Sequence, residues 1–132
     1  MVERLVAAGH DVTGTDLRPE ARREVESAGA RWVPDPSAAA SSVEVLLTVL
    51  PGGPELERLV LGAGELLSSL ADGALWIDLT SASVELGKEC AQFASAQGID
   101  CLDAPIGGGV PGMRAGTVTP ISSSDRVSCC LT

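Results

Sequence analysis

The residues of this chain that could do chemistry gather where apolar runs end. The most conspicuous stretch is Asp103-Ala104-Pro105-Ile106-Gly107-Gly108-Gly109-Val110-Pro111-Gly112-Met113-Arg114-Ala115-Gly116-Thr117, with five glycines and two prolines. It directly follows the strand-like run Gly98-Ile99-Asp100-Cys101-Leu102. Glycine permits positive φ and close approach of a ligand to the backbone, and proline fixes φ while removing a donor. A polar, glycine-rich loop just past a buried strand is where open α/β sheets bind ligands. Taken alone, three consecutive glycines read first as an ordinary turn. Three more polar positions also sit at strand ends: Asp16, the Pro51-Gly52-Gly53-Pro54 turn after Leu50, and Thr80-Ser81.

Other candidates carry less. His10, the single histidine, lies between a helix stop and the amino end of a strand, so it reads as a surface turn residue. Asp78 and Asp103 suggest a carboxylate pair but have no partner base, which favours structural roles. The cysteines are Cys90, Cys101, Cys129 and Cys130, and none forms a C-x-x-C pair. With one histidine they supply no zinc set, so no metal site is expected. Cys90 and Cys101 stand in apolar settings and read as buried free thiols.

The elements that must position these residues alternate along the chain. Met1 to Ala8 has apolar residues at helical spacing and a stop at Gly9. His10 to Asp16 reads as a strand, Pro19 to Ala28 as a helix stopped by Gly29, and Arg31-Trp32-Val33 as a short strand. Pro36 to Ser41 reads as one or two helical turns. Val43 to Leu50 is almost continuously apolar and is expected to be a strand buried on both faces. Glu55 to Leu61 and Glu65 to Leu70 look helical, with breaks at Gly62 and Gly64. Ala74 to Leu79 reads as a further buried strand, Ser83 to Gln97 as a helix N-capped by Ser83, and Ile99 to Leu102 as the last strand. Regular alternation of helix and strand implies right-handed crossovers and a parallel, doubly wound α/β sheet. Asp16, Leu50-Pro51, Thr80-Ser81 and the Asp103 loop then fall on one edge of that sheet.

Composition narrows the function classes. The 132 residues fit one domain, and 45% hydrophobic with 20% charged residues is globular. The aromatics are Trp32, Trp76 and Phe93, so the core is built from Leu, Val, Ile and Ala. A net charge of −9 offers no basic stripe, which argues against nucleic acid as a partner. No apolar run approaches the roughly 20 residues of a membrane span, so no membrane partner and a cytoplasmic location are expected. In a dinucleotide fold, an acidic residue at the Asp16 position accepts hydrogen bonds from the adenosine ribose and disfavours a 2′-phosphate. The competing reading is a solvated strand-end aspartate. Arg18, two residues on, leaves NADP open beside NAD. The Pro51 turn suits the wall beside a nicotinamide ribose, or is simply a rigid turn.

The motifs together resemble the β-hydroxyacid dehydrogenases, the group that contains 3-hydroxyisobutyrate dehydrogenase and 6-phosphogluconate dehydrogenase. Ala7-Ala8-Gly9-His10-Asp11-Val12 is similar to that family's A/K-A-G-H-x-V, which ends the helix after a G-x-G-x-M-G loop. Val49-Leu50-Pro51 resembles M-L-P, which lines the cofactor. Ile77-Asp78-Leu79-Thr80-Ser81 resembles I-D-x-S-T, with Ser81 where a cofactor-contacting threonine stands. Asp103 through Thr117 is similar to the substrate-binding stretch D-A-P-V-S-G-G-V-x-G-A-x-x-G-T. The resemblance implies a Rossmann-like fold with NAD, or NADP, as cofactor. It places Asp16, Leu50, Pro51 and Ser81 at the cofactor, and Gly107, Gly108 and Gly109 at the carboxylate of a small hydroxy acid.

Departures from the pattern shape the expectation. The glycine-rich loop and first strand do not precede Met1, and the all-helical domain of the family does not follow. Gly107 replaces a substrate-binding serine. The catalytic lysine of the family's G-x-x-x-K-x-x-N motif has no counterpart, since Lys88 lies outside any such motif, so no catalytic residue is assigned. Residues 1–119 are therefore expected to form a partial NAD(P)-binding domain and residues 120–132 a divergent, disordered tail. The resulting expectation is a fragment of an NAD(P)-dependent oxidoreductase of the 3-hydroxyisobutyrate dehydrogenase type, binding cofactor weakly and inactive alone. The alternative is a non-catalytic interaction or regulatory fragment that pairs with full-length subunits through an unpaired sheet edge. The abrupt start and the change after Thr119 also fit a truncated gene model.

Overall fold

The computed structural model of the chain describes residues 1–62 and 65–120. Helices and strands alternate as α1 (Val2–Ala7), β1 (Thr13–Gly14), α2 (Ala21–Ser27), β2 (Arg31–Trp32), α3 (Pro36–Ala40), β3 (Val45–Thr48) and α4 (Gly53–Glu57). A π-helical turn (Arg58–Gly62) continues α4 and leads to α5 (Glu65–Ser68), β4 (Leu75–Asp78), α6 (Val84–Ala96) and β5 (Asp100–Asp103). The glycine-rich stretch adds β6 (Ile106–Gly107), α7 (Gly109–Ala115) and β7 (Thr119–Pro120). The tail expected over 120–132 lies outside the described residues except for Pro120, which pairs with Ile106 in β7.

The strands of the main ladders are parallel, as helical crossovers require, and the architecture is the α/β one that the alternation predicts, Rossmann-like as the resemblance implies. β1 pairs with β2, and β3, β4 and β5 form a second sheet in that order. β6 and β7 form an antiparallel pair. Among the described residues no ladder joins β1 to β3, so the expected continuous sheet is divided in two.

Local chemistry sets the element boundaries. Asp35 caps α3 by accepting from the amides of Ser37 and Ala38, with Pro36 in the first turn. Ser83 caps α6 by accepting from the Leu86 amide, and Gly98, at φ +74°, turns the chain out of that helix. The helix predicted from Pro19 begins at Ala21. Asp16 holds the Arg18 amide, and the amides of Ala21 and Arg22 reach back only three residues, which delays the first full turn.

The core lies on one face of the β3–β4–β5 sheet. Leu56, Val60, Leu66, Leu67, Trp76, Cys90, Ala94 and Cys101 are buried there together. Strand alternation explains the set, because Leu46, Trp76 and Cys101 share a rung and point to the same face. The expectation that Val43 to Leu50 is buried on both faces is corrected: Val45 is 47% and Val49 50% exposed. β3 is the edge of its sheet, and only the face carrying Leu46 and Leu50 meets the core. No helix among the described residues is long and apolar enough to cross a membrane.

Candidate functional site

The carboxyl ends of β3, β4 and β5 finish on one rung, Thr48–Asp78–Asp103. By strand alternation all three fall on the core face, two rungs beyond Leu46–Trp76–Cys101. The sheet therefore ends in a polar row, and the segments leaving it start side by side: Leu50-Pro51 from β3, Thr80-Ser81 from β4 and Ala104-Pro105 from β5. This brings Leu50, Pro51 and Ser81 to the edge from which the Gly107 loop departs. Leu50 is half-buried, while Pro51 and Ser81 are exposed.

A hydrogen-bonded circuit ties the β3 and β4 ends together. The Trp76 indole donates to Thr48 Oγ1 at 3.0 Å, and the Thr48 hydroxyl donates to Asp78 Oδ1 at 2.6 Å. The Thr80 amide donates to the same Oδ1 at 3.1 Å, and Thr80 Oγ1 accepts from the Leu50 amide at 3.1 Å. Burial pushes the Asp78 carboxyl above its ordinary range, and the nearby Asp103 charge adds to that rise. The bonds from Thr48 and Thr80 oppose it. Cys90, on α6, sits under the same row, and burial followed by the Asp78 charge pushes its thiol up to about 11. Cys90 and Cys101 are both buried. Among the described residues, no cluster of three or more His, Cys, Asp or Glu side chains could hold a metal.

The glycine-rich stretch is more ordered than a turn. Gly108, at φ +100°, starts α7, and Gly116, at φ +72°, ends it. The Thr117 amide then returns to the Gly112 carbonyl at 2.9 Å, the closing bond of a Schellman turn. Pro111 falls in the first turn of α7, where its missing N–H costs nothing. A Cβ on Gly108 would meet Gly112 Cα at 3.6 Å, so the loop folds tightly on itself. Gly107 is half-buried in β6, and Gly108 and Gly109 are exposed. Beyond α7, Gly116 lies against the Arg4 guanidinium of α1.

Asp16 follows β1 in the two-stranded sheet. Its carboxylate takes the Arg18 amide at 2.9 Å and, on its two oxygens, Arg18 Nε at 3.2 Å and an Arg18 terminal nitrogen at 2.9 Å. Those Arg18 bonds hold the Asp16 carboxyl below its ordinary range. His10 is exposed in the turn between α1 and β1, and Lys88 is exposed on α6.

Two features escaped the sequence reading. Thr80 stands there with Ser81 as a polar position at a strand end, yet it is 2% exposed and its oxygen is engaged by Leu50. Thr48 was not singled out. Its signal was a lone hydroxyl in the apolar run Val43 to Leu50, opposite the acid that ends the next strand.

Known proteins match this arrangement. The family described as the NAD binding domain of 6-phosphogluconate dehydrogenase matches residues 1–129. The 3-hydroxyisobutyrate dehydrogenase of Pseudomonas aeruginosa is 37% identical over 119 residues, which is 90% of this chain and 40% of that protein. The structure of Mycobacterium tuberculosis 3-hydroxyisobutyrate dehydrogenase with L-serine superposes with a TM-score of 0.86 at 29% identity, covering 95% of this chain and 43% of that one. The structure of Psf3 in complex with NADP+ and 2-OPP gives 0.82 at 26% identity, covering 90% of this chain and 42% of that one. The chain thus spans about 40% of the length of the curated relative it matches in Pseudomonas aeruginosa.

Proposed function

Because this chain belongs to the family of NAD-binding domains of 6-phosphogluconate dehydrogenase, we propose that it is the dinucleotide-binding part of an NAD(P)-dependent oxidoreductase of the 3-hydroxyisobutyrate dehydrogenase type. The bound nicotinamide would accept or donate the hydride exchanged with a small hydroxy acid. The observation that carries the reading is the shared rung Thr48–Asp78–Asp103, which starts three loops side by side at the carboxyl edge of a parallel sheet. A cytoplasmic location belongs to the same proposal.

The residues present fit the two ends of a dinucleotide by their chemistry. Asp16, kept ionised by Arg18, is an acceptor suited to the adenosine ribose hydroxyls. On the nicotinamide side, the Leu50-Pro51 backbone forms the wall and the exposed Ser81 hydroxyl is the polar contact. Gly107, Gly108 and Gly109 receive the substrate carboxylate through backbone amides, with no side chain in the way. NAD is favoured because a 2′-phosphate would face the Asp16 carboxylate, although Arg18 is placed to leave Asp16 and pair with such a phosphate. Lys88 is exposed on α6 and stands outside the family's lysine motif, so none of the described residues is assigned the role of general acid/base.

The test is titration of the purified chain with NAD and NADP by calorimetry, together with an assay on 3-hydroxy acids. We expect weak binding, NAD before NADP, and no turnover. Asp16→Ala should weaken NAD roughly tenfold, the size of a lost charge-assisted hydrogen bond, while leaving NADP nearly unchanged. Absence of NAD binding at millimolar concentration sinks the cofactor reading, and steady oxidation of a 3-hydroxy acid sinks the expected inactivity. A second reading is favoured by the exposed Val45 on the edge strand β3 and the exposed Val49 just after it, an open template for association. It makes the chain a non-catalytic partner of full-length subunits. Size exclusion with a full-length relative decides it, and two separate peaks would reject it.

A further inference from the structure

Ladder hydrogen bonds between β3 and β4 end where the Leu79 amide meets the Thr48 carbonyl, at 2.9 Å. The next amide on the β3 side, that of Leu50, lies two residues past the strand. A side chain takes it instead of a carbonyl: Thr80 Oγ1, at 3.1 Å. We propose that Thr80 is a positioning residue, whose hydroxyl pins the Leu50 amide and so fixes the Pro51 turn in the place where it borders the nicotinamide.

Directionality makes the pin firm. An indole N–H can only donate, so Trp76 occupies Thr48 Oγ1 as acceptor and the Thr48 proton is directed to Asp78. Asp78 Oδ1 in turn holds the Thr80 amide, which sets the backbone that carries the Thr80 hydroxyl. Thr48, Asp78 and Thr80 are 4%, 6% and 2% exposed. Among the described residues, no buried side-chain nitrogen or oxygen lacks a partner. At such a site, removing one member strands a buried donor or acceptor, which costs more than the bond itself. The circuit also separates two neighbouring hydroxyls. Thr80 is spent inside the protein, and Ser81, exposed beside it, remains for the ligand.

The inference rests on the cofactor reading above, and its test uses two readouts on the whole chain. The first is hydrogen exchange at the Leu50 amide, with the Ile77 amide as an internal reference, measured without cofactor. The second is the NAD dissociation constant. Thr80→Val keeps the shape and removes the hydroxyl. It should speed Leu50 exchange relative to Ile77 roughly tenfold and weaken NAD binding several-fold, in line with a part-buried amide that has lost its acceptor. Thr80→Ser should restore both.

If Thr80→Val does not fold, the serine variant decides. A folded serine chain with a protected Leu50 supports the hydroxyl's role, whereas unfolding of both variants assigns Thr80 to packing and overturns the proposal. Unchanged Leu50 exchange in Thr80→Val overturns the pin. Faster exchange with an unchanged NAD constant overturns its bearing on the cofactor. Failure of the unaltered chain to bind NAD overturns the cofactor reading itself, and the exchange data then judge the pin alone.

Discussion

The two parallel sheets of this protein are built to different standards. Through Val33, the first part buries only Ala21 and Ala30; α1 buries nothing, and both strands are two residues long. From Ala40 onward, the second part contains nearly the whole core, with Leu56, Val60 and Leu67 fully enclosed. The first part carries Asp16 and two exposed ion pairs, Arg18–Asp16 and Arg22–Glu26. The second carries the buried Thr48–Asp78–Thr80 circuit. One end of the proposed dinucleotide therefore rests on surface electrostatics and the other on a packed, hydrogen-bonded sheet. Rigidity follows buried apolar contact, so the nicotinamide side is the better preorganised of the two.

The largest expected effect tests the packing side of that contrast. Leu56→Ala empties a fully buried site in the main core and should cost about 2–5 kcal/mol, the usual range for a buried leucine. Val25, half-buried on α2 against Gly14, provides the matching probe in the first part. Val25→Ala should cost about 1 kcal/mol or less, because there is little enclosed space to empty. Urea titration of both variants measures the difference. Equal losses would mean that the two sheets share one cooperative core and would break the comparison.

The same contrast explains what the sequence made legible. Continuous apolar runs such as Ala74 to Leu79 and the capped helix after Ser83 have strong periodic signals, and both elements stand where the patterns put them. The edge on which Leu50, Pro51 and Ser81 lie follows from strand direction alone. The exposure of Val45 and Val49 was hidden, since apolar composition tells that a strand is buried but not whether a neighbour covers its second face. α7 was hidden for another reason. Its sequence, Gly-Val-Pro-Gly-Met-Arg-Ala, has poor helix propensity, and left-handed glycines at its ends (Gly108, Gly109 and Gly116) together with the Thr117–Gly112 bond close the turn. The Thr48–Asp78–Thr80 circuit depends on register across strands thirty residues apart, which no local pattern encodes.

A smaller effect separates the two regions by pH. Asp78 in the second part titrates above the ordinary value of 3.8 in the folded state, and Asp16 in the first part below it. A raised carboxyl means the folded chain holds its proton more tightly than the unfolded chain. The Asp78 contribution to stability therefore falls as pH rises from 3.8 to the folded value. A lowered carboxyl works the other way, so the Asp16 contribution is lost as pH falls from 3.8 to its folded value. The groups facing Asp78 are the Asp103 charge on β5 and the Cys90 thiol on α6. Cys90 stays neutral throughout this range. Melting temperatures between pH 3 and pH 7 for the unaltered chain and Asp78→Asn should diverge in the variant's favour as pH rises. Parallel curves would show that Asp78 gains from its hydrogen bonds as much as it loses by burial.

The smallest effect belongs to the surface of the first part. Arg22 and Glu26, one turn apart on α2, meet at 2.9 Å with side chains 63% and 46% exposed. Water screens such a pair, and holding two long side chains in one geometry offsets much of the attraction. Arg22→Ala should cost about 0.3–0.5 kcal/mol at low salt, and the cost should vanish in molar salt, where the Debye length shrinks to about 3 Å. Urea titration at the two salt concentrations measures it. A cost above about 1 kcal/mol that persists in salt could not come from an exposed ion pair. It would mean that Arg22 packs through its stem, and that the first part has more buried contact than Ala21 and Ala30 account for.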